Sequence, residues 1–459
     1  LNKKAVSVAL ALSLAFGATG AQTAFMKGPV AGVHQVNEHF DKKVLNQIDA
    51  QRIYDNIDYL AKTPRVAGTE AEQNAIKYIK EQFESYGYQV ELQPFTFYGY
   101  TQPTSIDLTV DGYAGDLNPV SFTYTVSGDA TGELVDAGLG TKAALQNVDL
   151  TGKIAFIQRG EISFGEKVLN AAEKGAAGVI IYNNADGALN GTLGAHDDRY
   201  VPAVALTKEE GEALKAYVGK TASLSVVGAE AGYKDSHNVI ATKYPTNKKK
   251  ATGDVIVVGA HHDSVAGAPG ANDDASGTAM TLELARVMKN VPADTEIRFI
   301  TFGAEELGLL GSYHYVNSLS QTEKDRIVAN FNLDMVGSRD AGDLIMRTLD
   351  GKPNLVTELA QKSSLKLNGT PTPYDIGGRS DHVPFAEAGI PAALFIHSPS
   401  EPWYHTPEDT IDKISIEKLQ DVAEIVGSAV YDLAQFDKKK PKGPKVKASK
   451  EMIFEQSFE

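Results

Sequence analysis

Cysteine is absent from the 459 residues, and tryptophan occurs once. Without thiols, neither a disulfide framework nor cysteine chemistry is open to this chain, and any metal must be held by nitrogen and oxygen donors. Positive charge is also short: 44 Lys and Arg face 59 Asp and Glu, a formal charge of −15. That balance argues against nucleic acid as a partner for the body of the chain. The apolar run from Ala5 to Ala18 is too short to span a membrane, and it follows Asn2-Lys3-Lys4. A basic start, an apolar middle and the small residues Thr19-Gly20-Ala21 predict a secretory signal over 1–21 and no transmembrane anchor. What the chain has in quantity is glycine, 42 residues, and apolar side chains, 42%. This is a globular composition, at a length that suits two domains.

The candidate chemistry sits where apolar stretches stop. VIVVGA (Val255 to Ala260) ends on His261-His262-Asp263, and EIRFITF (Glu296 to Phe302) runs into Gly303-Ala304-Glu305-Glu306. Asn272-Asp273-Asp274 opens an Ala- and Leu-rich helix, while Asn332-Leu333-Asp334 and Trp403-Tyr404-His405 follow further apolar runs. In an open α/β sheet, ligands and catalytic groups gather beyond the strand C-termini. Imidazole and carboxylate without thiol is a donor mix that suits Zn²⁺ at hydrolytic sites. Asp263, two residues from His261, can orient that imidazole. Asp274 is placed to cap the helix after it. On extended backbone, Glu305 and Glu306 would point to opposite sides, so that one binds metal and the other reaches water.

Taken in order, HHDS, NDDASG, GAEELGLLGS, NLDMVGS and YHT resemble the bacterial secreted double-zinc aminopeptidases of the leucyl, Bacillus type. That family also takes in glutamate carboxypeptidases and the non-catalytic transferrin receptor. The resemblance covers about residues 51–435 and implies an α/β fold, a mixed central sheet flanked by helices. It implies two Zn²⁺ ions bridged by Asp273, one completed by His261 and Asp334, the other by Glu306 and His405. Glu305 would be general base and acid toward a bridging water, Tyr404 an oxyanion donor, and Arg379 of GGRSDH a residue at the substrate's edge. The implied substrates are peptides with a free N-terminus. A carboxypeptidase of the same superfamily would keep these ligands, but such relatives carry a large helical domain at the end, where this sequence has one helix and a basic stretch. A receptor-like binding protein would have lost ligands, and every ligand position here is filled.

The remaining segments read as follows. Residues 40–100 form the first part of the peptidase domain. There Thr69 and Glu72 predict a capping box, and Ile76, Ile79 and Phe83 share a helix face. Over 101–233, Thr/Val/Tyr-rich segments alternate with glycine turns. DLTGKIAFIQRG and EKVLNAAEKGAAGVIIYNN there resemble a protease-associated domain inserted in the peptidase domain. His196, Asp197 and Asp198 within it read as a solvated loop. Residues 234–435 carry the second part of the peptidase domain and the metal site. The stretch 438–450 has seven lysines and no acid, a flexible basic tail that reads equally as a solvated stretch or as a contact for anionic cell-wall polymer outside the cell.

Overall fold

The structure is a computed structural model that describes residues 44–434. The expected signal segment and basic tail lie outside them. Strand Val255–His261 is buried at every position, as a strand covered on both faces must be. Parallel to it lie Glu296–Phe302 on one side and Ile327–Leu333 on the other, with Ala392–Ser398 parallel beyond the latter. These four strands are the centre of an eight-stranded mixed sheet. Antiparallel Glu230–Lys243 and Val90–Thr101 extend one edge, and Asp343–Thr348 and Tyr374–Ile376 the other. The mixed α/β architecture flanked by helices is the one the sequence implied.

Helices cover both faces. Ser276–Met288 is buried nearly all round, because it lies on the sheet and beneath Ala50–Leu60 and Ile416–Ala434. Its Leu282 and Met280 join Ile53, Phe83, Phe299, Phe331 and Val426 in the main core. Each such side chain stabilises the fold by about 1.5–3 kcal/mol relative to its exposed state. On the opposite face Phe302, Tyr315 and Phe385 pack together. Helix Glu70–Ser85 buries Ile76, Ile79 and Phe83 as its spacing predicts. Its capping box is only half formed. The Thr69 hydroxyl accepts the Glu72 N–H at 3.4 Å, but the Glu72 carboxylate turns inward to the Gly68 N–H and the Ser236 hydroxyl. A buried polar network outbids the local motif.

Between Thr101 and Glu230 the chain leaves this sheet for a second one of seven strands, lying between Ser105 and Val227. It has its own apolar clusters, one around Leu134, Phe156 and Leu224, another around Phe122, Ile157 and Val179. The two paired strands Val90–Thr101 and Glu230–Lys243 form the ribbon that joins it to the main sheet, in register from Val90 opposite Ala241 to Thr101 opposite Glu230. No helix among the described residues is long and apolar enough to cross a membrane.

Candidate metal centre

The C-terminal ends of the four central strands converge. His261 closes its strand, Asp334 follows Leu333, Glu305 and Glu306 follow Phe302, and His405 comes seven residues after Ser398. Asp273 is at the centre. Its Oδ1 lies 3.1 Å from His261 Nε2, and its Oδ2 lies 3.0 Å from His405 Nε2. Glu306 Oε2 approaches the same His405 nitrogen at 3.1 Å, while Asp334 Oδ1 and Glu305 Oε2 stand 3.7 and 3.9 Å from His261 Nε2. Two sets of three donors lie within 4.8 Å of one another: His261, Asp273 and Glu306, and His261, Glu305 and Asp334. The structure therefore gathers all five ligand candidates and Glu305 in one place.

Local structure explains each position. Gly270 takes a left-handed φ of +63°, and a Cβ there would stand 2.3 Å from the Asp273 carbonyl, so the turn before Asp273 needs glycine. Asp274 accepts the Gly277 N–H at 2.8 Å and so caps the helix; its other oxygen accepts the His261 N–H at 3.2 Å. Glu305 and Glu306 are not on extended backbone. They lie in a turn, with the Glu305 carbonyl accepting the N–H groups of Gly308 and Leu309 at 2.8 and 2.7 Å. Strand alternation therefore ends at Phe302, and turn geometry aims the two carboxylates instead. Asp263 anchors that turn, its two oxygens accepting the Glu305 and Glu306 N–H groups at 3.0 and 3.2 Å. His261 Nδ1 is 3.2 Å from the Asp263 carbonyl oxygen and 3.5 Å from its carboxylate. A proton on Nδ1 is held there, which leaves the Nε2 lone pair facing the cluster.

The electrostatics call for cations. Burial alone would depress His261, but the Glu305 charge and the close carboxylates of Asp263, Asp273 and Asp334 outweigh it and raise its pKa well above the ordinary value. Burial likewise opposes the bonds to Asp273 and Glu306 at His405, which is lifted to about 10. Asp273 is held well below the carboxylate range, because the two imidazoles outweigh its burial. Burial, then the charge of Asp273, pushes Glu306 up to about 7. Burial raises Glu305 far above its usual value, with Asp381, Asp334 and Glu306 adding to the effect against His261. Glu306 Oε1 and Asp334 Oδ1 are buried without a hydrogen-bond partner among the described residues. An all-N/O donor set, crowded with carboxylates and with buried lone pairs to spare, fits zinc.

Around this cluster the other candidates divide. Tyr404 stacks on the His405 ring with centroids 3.8 Å apart and is 44% exposed, so it stands on the solvent side of the cluster. Burial, then the nearby Asp273 and Glu306, raises its pKa, which keeps the hydroxyl a donor. Arg379 is exposed, and its side chain has no ion pair or hydrogen bond among the described residues. His262 is buried outside both donor sets, its Nδ1 3.0 Å from the Thr301 hydroxyl. His196 pairs with Asp198 at 2.8 Å and Asp197 with Arg199 at 2.6 Å, away from any donor cluster. Two carboxylates carried no assignment from sequence. Asp381 is fully buried, and burial above all lifts it to about 7. Asp409 accepts the N–H groups of Asn272 and Asp273. Asp381 lies in the GGRSDH motif and Asp409 four residues after His405, but nothing in either spacing signals its contacts.

Residues 238–430 match peptidase family M28, and residues 130–214 match the PA domain. Aminopeptidase YwaD of Bacillus subtilis (strain 168) is 41% identical over 425 residues, covering 88% of this chain and 90% of that protein. The solved aminopeptidase from Aneurinibacillus sp. strain AM-1 is 56% identical, with a TM-score of 0.67 over 86% of this chain and 97% of that one. BSAP, a zinc aminopeptidase from Bacillus subtilis, is 41% identical with the same TM-score and coverage.

Proposed function

The chain belongs to peptidase family M28 and is a zinc aminopeptidase, and from that premise we propose that it works with two zinc ions and uses Glu305 as general base. Asp273 carries this reading: its two oxygens face two different imidazoles, His261 at 3.1 Å and His405 at 3.0 Å. A carboxylate so divided suits a bridge, with His261 and Asp334 on one side and Glu306 and His405 on the other. Zinc bound there supplies a Lewis acid for the scissile carbonyl and lowers the pKa of a water.

The chain's own residues do the rest. Glu305 takes a proton from the attacking water as its oxygen bonds to the carbonyl carbon. It returns that proton to the departing amine nitrogen as the C–N bond breaks. Tyr404 donates its hydroxyl hydrogen to the carbonyl oxygen as negative charge develops on it. The acidic cluster, Glu305 and Asp334 included, attracts the free α-ammonium of a peptide N-terminus. Asp263 keeps the Glu305 turn and the His261 ring in place. Arg379 is proposed to border the substrate.

Export follows from the signal reading of 1–21, and contact with anionic wall polymer from the lysines of 438–450. Two measurements test the site. Chelation should abolish hydrolysis and zinc restore it, and elemental analysis should find two ions per active chain. A fully active chain with one ion would overturn the two-ion reading. For the tail, a chain truncated at Asp437 should bind wall polymer less at low salt than the full chain does. Equal partitioning would dismiss the contact.

A further inference from the structure

We propose that Asn238 is a positioning residue for the reaction: it ties off the neck of the loop 303–311 and so sets where Glu305 stands. This rests on the reading of Glu305 as base. The loop leaves the sheet after Phe302 and closes on itself at Gly311, in the first turn of helix Leu310–Ser318, where the Gly311 N–H donates to the Gly303 carbonyl at 3.0 Å. Asn238 bonds both sides of that neck. Its Oδ1 accepts the Gly303 N–H at 3.2 Å, and its Nδ2 donates to the Gly311 carbonyl at 2.8 Å. The second Nδ2 hydrogen goes to Gln93 Oε1 at 2.9 Å. Fully buried, the amide thus uses its acceptor and both donors. Neither a carboxylate nor an apolar group of that size can do the same.

The neck has no slack. A Cβ on Gly311 would stand 2.4 Å from Asn238 Oδ1 and 2.4 Å from the Gly303 carbonyl oxygen. A Cβ on Gly303 would stand 2.2 Å from the Ser236 hydroxyl, two residues before Asn238 on the same face of its strand. Beyond the neck, Ala304 and Leu309 take left-handed φ values of +54° and +62°. Glu305 sits between them, two residues from the bond that Asn238 makes. Asp263 holds the outer part of the turn, and Asn238 holds its base.

Asn238 also has a telling address. Its strand, Glu230–Lys243, pairs with Glu296–Phe302, which feeds the loop, and with Val90–Thr101, the other half of the ribbon to the inserted domain. The catalytic turn is therefore tied to the strand by which the chain returns from the insert.

The test is Asn238→Ala, assayed on a small amino-acid anilide with zinc content measured on the same sample. Removing the amide leaves the buried Gly303 N–H unpaired and strips one bond from the Gly311 carbonyl at the neck, and a displacement of about 1 Å costs about 10²-fold in rate. We expect kcat per zinc-loaded chain to fall by about that factor with KM changed by no more than about twofold. Gln93→Ala, which removes only the third bond, should keep kcat. A folded, zinc-loaded Asn238→Ala with wild-type kcat overturns the proposal.

Should Asn238→Ala fail to fold, Asn238→Asp decides. In alkaline buffer its carboxylate faces the Gly311 carbonyl, and kcat should fall. As the pH drops, the protonated carboxyl can donate again, and the ratio to wild type should climb. A ratio of one throughout overturns the proposal. Glu305→Gln separates the two readings: if it stays active at full zinc, the base assignment fails whatever Asn238 shows.

Discussion

Asp409 stands behind Asp273 and holds it by the backbone: Oδ2 accepts the Asp273 N–H at 3.0 Å, and Oδ1 accepts that of Asn272 at 2.8 Å. Burial lifts the Asp409 carboxyl to about 6 despite these two bonds. The pair fixes the peptide from which the two Asp273 oxygens diverge. Asp409→Ala should therefore weaken zinc binding by about 10–100-fold, the usual cost of losing a group that orients a ligand. Competition against a chelator measures it. Unchanged zinc affinity in a folded variant would show that Asp273 needs no such support.

Glu305 and Glu306 should part company on substitution. Glu305→Gln keeps size and hydrogen bonding but cannot take a proton. Zinc should stay bound while kcat falls at least about 10²–10⁴-fold. Glu306→Gln should lose metal and recover in part with excess zinc. The reverse pattern of metal content would exchange the two roles.

Arg65 lies fully buried and donates to the carbonyls of Leu60, His262, Pro269 and Gly270. Burial lowers its pKa, against the charges of Asp263, Asp274, Asp409 and Asp273. Arg65→Met strips those acceptors of their donor beside a carboxylate cluster, and should cost roughly 3–5 kcal/mol of stability. Arg65→Lys should recover only part of it, since an ammonium lacks the planar fork. Urea midpoints of the three chains decide; equal midpoints would make Arg65 dispensable.

Lys243 offers a pH test away from the metal centre. Burial, with Lys289 nearby, pushes its pKa down to about 8, while its ammonium donates to the Lys289 carbonyl at 2.9 Å. The unfolded chain, near 10.4, holds the proton more tightly, so it binds more protons than the native state between those values. The charge penalty is full below about pH 8 and relieved as pH rises toward 10.4. Wild type should therefore gain stability relative to Lys243→Met over that window. A constant difference would mean the ammonium is not destabilised by folding.

The clusters of His and carboxylate were legible because strand and helix ends are written locally, while the choice of five ligands within them came from the family resemblance. An apolar run that stops on His261, or on Leu333 before Asp334, marks its own terminus, and strand C-termini share one edge of the sheet. The same local logic misplaced two features. Extended backbone was expected at Glu305 and Glu306, where glycines and the Asp263 bonds make a turn, and a full capping box at Glu72, whose carboxylate is drawn to Ser236.

From its sequence alone, the chain was committed to an α/β sheet, an N/O donor set free of thiols, and the order in which those donors are delivered. Periodicity, composition and short motifs act over a few residues, and that suffices for such choices. Tertiary structure decided how the donors are held. Asp409 reaches Asp273 across 136 residues, Arg65 reaches Pro269 across 204, and Asn238 reaches Gly311 across 73. Such partners are chosen by burial: a polar group shut away from water bonds whatever the fold brings beside it, and no local spacing records which group that will be.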